Sequence, residues 1–147
     1  VVTMHAGTEY VRSPNPSQTA FARAAVDAGA DMVIGAHPHW AQTFEKYKDK
    51  YIFYSLGNFV FDQMWSQDTK EGLTLKITLS KNGTCTPTAG SGACASDVQG
   101  GTTAATLKQI ELIPVIIENY STPRLANETE KQIILKKIGA TTDIINP

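Results

Sequence analysis

One helix with clear start and stop signals lies between two short apolar segments. This arrangement limits the fold more than any other feature of the chain. Val1 to Ala6 reads as a strand. Gly7 to Asn15 is a loop, with Pro14 and Pro16 as breakers. Asn15 stands where an N-cap is needed and Pro16 at the first helical position. Phe21, Ala24, Ala25 and Ala28 recur at helical spacing and are the expected apolar stripe, and Gly29 ends the helix. Asp31 to Gly35 is a short buried strand, and a polar loop through Trp40 leaves its end. Helix, tight turn, apolar strand and polar loop form the repeating unit of an α/β fold.

The rest of the chain is strand-rich. Gln42–Tyr47 is expected to pair with Tyr51–Leu56 across Lys48, Asp49 and Lys50, and Gly57-Asn58 breaks that hairpin. Phe59 to Phe61 is a further apolar patch. Leu73 to Leu79 alternates apolar with hydroxyl and Lys residues, the period of a half-buried strand. Residues 81 to 104 are rich in Gly, Ser and Thr, with Val98 as their only large aliphatic residue, and read as a surface insertion. Cys85 and Cys94 lie inside it. A local disulfide there would contribute about 2.7 kcal/mol through loop entropy and would imply an oxidising compartment; two free thiols are the alternative. Thr106 to Ile117 returns to a strand pattern, with Pro114 pointing to an edge or bulge. Ala126 to Ile138 reads as a last amphipathic helix with Ile133, Ile134 and Ile138 inward.

Composition excludes several classes. Hydrophobic residues are 41% of 147, enough for a core, and charged residues are 18%, too few for a coiled coil or a disordered tail. A net charge of -1 argues against nucleic acid or an acidic membrane surface as a partner. No apolar run approaches the roughly 20 residues of a membrane helix, and no signal peptide is visible. The first residues already read as the inside of a strand, so the chain is expected to be a piece of something longer.

The chain's three histidines are not scattered. His5 ends the first strand, and His37 and His39 flank Pro38 just past the second. In open α/β sheets ligands bind outside the carboxyl ends of strands, where both groups fall. Two imidazoles separated by one proline are stiffly held, and neutral imidazole is a common ligand for zinc, iron and manganese. Metal ligation by His5, His37 and His39 is one reading and a merely polar loop the other; the strand-end context and the resemblance described below together favour ligation. Glu9 is either a carboxylate that orients a histidine or a surface charge. Asn58 is either a turn residue or a polar group lining the site, and Asp62 and Asp31 share that ambiguity. Ser55 lacks the Gly-x-Ser-x-Gly surroundings of a hydrolase nucleophile.

Three ordered segments resemble a known family. His5-Ala6-Gly7-Thr8-Glu9-Tyr10 resembles the His-Trp-Gly-x-Glu-Tyr motif of the CapA family, the poly-γ-glutamate capsule biosynthesis proteins, with Ala6 where the family usually has Trp. Ala28 to His39 resembles its next motif and Ile52 to Phe61 its third. Glu71-Gly72-Leu73 and Glu111 to Val115 look like its later strands. The resemblance implies a calcineurin-like metallophosphoesterase fold, a four-layer α/β/β/α sandwich with mixed sheets and a two-metal site at strand ends. It makes His5 the isolated late histidine of that superfamily and His37 and His39 its closing pair. The superfamily's earlier Asp, His and Asn ligands have no counterpart here, so residues 1–147 look like the C-terminal half of one such domain.

The expected function is that of a cell-surface or extracellular protein of capsule or surface-polymer synthesis with a hydrolytic site holding two divalent cations such as manganese, zinc or iron. His5 and Glu9 are its candidate catalytic residues, His5, His37 and His39 its candidate ligands, and Tyr10 and Asn58 its candidate substrate-binding residues. The substrate would be a phosphoester or an anionic polymer. The rival is a non-catalytic polymer-binding or export component with a vestigial metal site. A partner that supplies the missing half, or self-association, is expected to complete the sheet.

Overall fold

A computed structural model of the chain describes residues 1–81 and 105–147. Residues 82–104, with the expected Cys85–Cys94 pairing and nearly all of the surface insertion, lie outside the described residues.

The elements run β1 (Val2–His5), α1 (Pro16–Asp27), β2 (Met32–Ala36), β3 (Phe44–Tyr47), β4 (Lys50–Phe53), α2 (Gln67–Lys70), β5 (Glu71–Lys81), β6 (Ala105–Glu118), β7 (Thr122–Leu125), α3 (Glu128–Lys137) and β8 (Ile144–Ile145). They form two four-stranded sheets. The first has the order β1-β2-β4-β3, with β1, β2 and β4 parallel and β3 antiparallel. The second is antiparallel, with β6 between β5 on one side and β7 and β8 on the other. The protein is thus a mixed α/β structure with two sheets, as the sequence pattern implies.

The period of two in the first sheet builds two cores at once. Tyr51 and Phe53 of β4 join Met32, Leu73, Ile110 and Leu112 between the sheets. Ile52 and Tyr54 join Met4, Val33, Ala22 and Val26 under α1. Leu135 and Ile138 bring α3 into the first of these cores.

Helix α1 starts as expected: Asn15 Oδ1 accepts from the Gln18 backbone and Gln18 returns a bond to the Asn15 backbone. Its buried face differs from the expected stripe. Gln18, Ala22 and Val26 point inward and Phe21 is 52% exposed. The true face follows i, i+4, i+8, and it includes a polar residue that a hydropathy stripe discards. Helix α3 is rotated in the same way: Ile134, Leu135 and Ile138 are buried, and Ile133 faces outward.

The β3–β4 turn is shorter than expected. Lys50 pairs with Tyr47, which leaves a two-residue turn at Lys48 and Asp49, both at positive φ. Pro114 is neither at an edge nor at a bulge. It pairs with Leu73 inside the central strand β6, and the register shift falls between Thr78 and Leu79 of β5. The strand tolerates the proline because its carbonyl, bonded by the Ala126 N–H, faces the gap between the β7 and β8 pairings. No ladder donor is needed there.

Two glycines contrast in what they permit. A Cβ on Gly35 would lie 2.0 Å from the Tyr54 carbonyl oxygen, so β2 and the chain after β4 approach as only glycine allows. Gly29 has φ +104 but open space around it. G35A is therefore expected to cost about 3 kcal/mol or more through backbone displacement, and G29A about 1–2 kcal/mol through conformation alone. Urea midpoints of the two variants check this order.

Candidate functional site

The site is assembled by register. In the parallel β1–β2 pair His5 lies opposite Ala36, the residue before His37. Beyond the pairing, the Ala6 N–H donates to the Ala36 carbonyl at 3.1 Å. The His5 and His37 rings are consequently 4.9 Å apart, and the His37 and His39 rings 6.4 Å. The three imidazoles thus share one end of the sheet.

The loop that carries His37 and His39 is tightly constrained. Pro38 between them is fully buried, and its carbonyl accepts from the Tyr10 N–H at 2.8 Å. His37 has φ 106 and His39 φ 61; Tyr10, on the facing loop, has φ 59. Such conformations cost of order 1–3 kcal/mol each for side-chain-bearing residues and persist only where the surroundings enforce them.

His39 is the best supported of the three. The Tyr10 ring stacks on it at 5.6 Å and the Phe61 ring lies 4.9 Å away. Its Nδ1 is 2.9 Å from Asn58 Oδ1, and its Nε2 is 4.0 Å from Glu9 Oε1. Asn58 is 7% exposed and also donates from Nδ2 to the Thr69 carbonyl and to Gln63 Oε1. Gln63 Nε2 donates to the Tyr10 hydroxyl at 2.9 Å, and Trp65 packs edge-on against the Tyr10 ring. Asp62 and Asp31 do not join the site: Asp62 contributes a backbone carbonyl to a local turn, and Asp31 pairs with Lys50. Ser55 is buried, its hydroxyl held by the Gly57 N–H.

The sequence reading missed the residues that hold this loop in place. Gln18 and Gln42 are both buried and hydrogen-bonded side chain to side chain at 2.9 Å. Gln42 Nε2 also donates to the Val11 and Ser13 carbonyls, which anchors the loop carrying Glu9 and Tyr10. Arg12 lies over the Trp40 ring, donates to the Ala41 carbonyl and pairs with Asp68. Lys137 of α3 bonds both Asp68 and buried Glu71. Burial works against ionisation of Asp68, but the Lys137 ammonium and the Arg12 guanidinium outweigh it and hold the carboxyl below its ordinary value. No local pattern marks these residues, because each works through a partner distant in sequence.

A cleft of about 750 Å³ opens between the sheets with His5 in its wall; Thr3, Ile34, Phe59, Leu73 and Leu75 line the rest. Its walls are largely apolar, and His37 and His39 are not among its lining residues. The donor chemistry suits a divalent cation: three imidazoles, one with Nδ1 engaged and Nε2 left facing a carboxylate. Among the described residues, however, no three His, Cys, Asp or Glu side chains gather closely enough to hold a metal ion by themselves. These residues fit part of a coordination shell.

Residues 1–63 match the family described as bacterial capsule synthesis protein PGA_cap. A capsule biosynthesis protein CapA of Bacillus anthracis is 54% identical over 84 residues, which are 57% of this chain and 20% of that protein. Over these residues the chain is similar to the CapA proteins of capsule biosynthesis. A PGA biosynthesis protein CapA of Bacillus subtilis is 50% identical over 84 residues, 57% of this chain and 22% of that one. A probable polyglutamine synthesis accessory protein of Mycobacterium tuberculosis is 39% identical over 62 residues, 42% of this chain and 16% of its own length. The matched stretch spans about a fifth of the length of the CapA relatives. The family match takes in His5, Glu9, Tyr10, His37, His39 and Asn58 together. No helix among the described residues is long and apolar enough to cross a membrane.

Two outcomes follow from the supports of this site. Q42L strands the Val11 carbonyl and the Gln18 amide, and is expected to cost about 2 kcal/mol in a urea unfolding measurement. Asp68 has a depressed folded-state value, so its contribution is present above the unfolded carboxyl range and lost as pH falls through the folded value. The stability gap between the wild type and D68N should therefore be widest near neutral pH and narrow below about pH 4. Urea midpoints at pH 7 and pH 3 check it.

Proposed function

We propose that this chain supplies the histidine side of a two-cation, phosphoesterase-type hydrolytic site in a protein of capsule or surface-polymer (poly-γ-glutamate) biosynthesis. The observation that carries the proposal is the meeting of His5, His37 and His39 at the carboxyl ends of the parallel strands β1 and β2. His37 and His39, with His5, are the residues to hold divalent cations such as manganese, zinc or iron. Bound there, the cations supply Lewis acidity and a deprotonated water. His5, exposed at the strand end, is placed to steady charge on an oxygen of the substrate. Glu9 faces His39 Nε2 and balances positive charge on that side. The Tyr10 hydroxyl accepts from Gln63, so its own hydrogen is left for a substrate oxygen.

The remaining ligands come, in this reading, from elsewhere in the full-length protein or from a partner chain. Strand β1 has no partner on its outer side among the described residues, and that edge is where further chain would add. The names of the Bacillus relatives support a surface-polymer substrate and a place at the cell surface. The substrate is a phosphoester or an amide linkage of an anionic polymer.

A second reading, a non-catalytic polymer-binding or export component, draws support from the absence of a closed metal-holding group among the described residues. Turnover separates the two. The full-length protein with manganese or zinc is expected to hydrolyse a phosphoester or a γ-glutamyl polymer, and H37A and H39A to lower the rate at least about 100-fold. The 147-residue chain alone is expected to bind zinc weakly in a calorimetric titration. Tight binding of two ions by the chain alone would overturn the shared-site proposal, and metal-independent polymer binding without turnover would favour the second reading.

A further inference from the structure

We infer that Asn58 is a positioning residue that locks His39 with its proton on Nδ1, so that Nε2 is the nitrogen presented to the site. The argument starts from the Thr69 carbonyl, which can only accept. Asn58 points an atom at that carbonyl across 2.9 Å, and this atom must therefore be the amide nitrogen. The second hydrogen of the same nitrogen goes to Gln63 Oε1 at 3.2 Å. Gln63 is oriented in turn by its Nε2 bond to the Tyr10 hydroxyl. With Nδ2 committed in this way, Oδ1 is the atom that faces His39 Nδ1 at 2.9 Å. An amide oxygen has no hydrogen to give, so His39 Nδ1 must carry one.

The same network removes the ring's freedom to turn. Rotation by 180° about its axis would replace the Nδ1–H facing Asn58 with a carbon. Tyr10 stacks on the ring and Phe61 closes on it. Gln63 ties Tyr10 back to Asn58, so one buried amide fixes both the tautomer and the stacking partner. Among the described residues Nε2 has no hydrogen-bond partner, and it faces Glu9 Oε1 at 4.0 Å. Both amide hydrogens of Asn58 and one lone pair of its oxygen are engaged inside the protein.

The tautomer is a property of the protein without metal. Only the use of Nε2 as a ligand rests on the hydrolytic proposal. The experiment is a two-bond proton–nitrogen correlation on the full chain with labelled histidine, at about pH 8.5 where imidazole is neutral. The loss of peaks in H39Q assigns His39. The wild type is expected to show a protonated Nδ1 and an unprotonated Nε2, and an unprotonated Nδ1 would overturn the inference without recourse to any variant. N58L should convert His39 to a mixture of tautomers. N58D, which keeps an acceptor at that place, should restore Nδ1–H at some cost in stability. A wild-type pattern in N58L would mean that Asn58 does not set the tautomer. Zinc is then added to the full-length protein. It should move the Nε2 signal of His39 and not Nδ1, with affinity about 10–100-fold lower in N58L. A silent Nε2 combined with Nδ1–H would count against the hydrolytic proposal while the positioning role of Asn58 stands.

Discussion

Parallel pairing of β1 with β2 sets His5 opposite Ala36, and everything at the site follows from that register. Side chains alternate along a strand, so a slip by one residue would turn His5 away from His37 and drive Met4 out of the core beneath α1. The register is in turn fixed by burial. Met4 and Val33 must face α1, while Met32 must face the second sheet. The packing that drives folding and the meeting of two imidazoles are therefore one constraint.

Beyond the strand ends, the site is built from conformations that the backbone disfavours. His37, His39 and Tyr10 all sit at positive φ, at a combined cost of several kcal/mol. Polar side chains drawn from distant parts of the chain offset it. Gln42 satisfies the Val11 and Ser13 carbonyls of the Glu9 loop from beneath, Gln18 holds Gln42 in turn, and Arg12 joins that loop to Asp68 and, through Lys137, to α3. Removing one member strands buried groups, so such a network is stiff only when complete. This explains why strained residues and buried polar residues occur together here.

The sequence carried the parts of this arrangement that are local. The Asn15–Pro16 start of α1, the strand ahead of each histidine and the alternation of β5 as far as Ile77 all depend on neighbours a few residues apart, and they read correctly, whereas Leu79, past the register shift, is exposed. The helix faces did not. Gln18 faces inward because a glutamine across the fold needs it, and Ile133 faces outward because Leu135 packs between the sheets instead. Pro114 misled for a related reason. A proline forbids a ladder bond, but only the arrangement of β7 and β8 shows that none is required there. The histidines stood out by type and position, whereas Gln63 and Trp65, which touch Tyr10, looked like ordinary loop residues.

Position 58 shows why an amide, and no simpler polar group, holds the centre of this network. The side chain there must accept from His39 and donate to the Thr69 carbonyl at the same time. An ionised carboxylate would meet that carbonyl with two lone-pair oxygens, and a hydroxyl has one hydrogen where two are in use. Glutamine has the right groups but carries them one methylene farther from a backbone already packed against β5. The Asn58 carbonyl lies so close to Gly72 that a Cβ on Gly72 would come within 1.9 Å of it. Close packing of β5 on this segment thus sets where the chain runs, chain position sets the reach of the side chain, and reach selects asparagine. A residue that looks like a turn former in one dimension is chosen here by two hydrogen bonds and a glycine contact, each made to a different part of the fold.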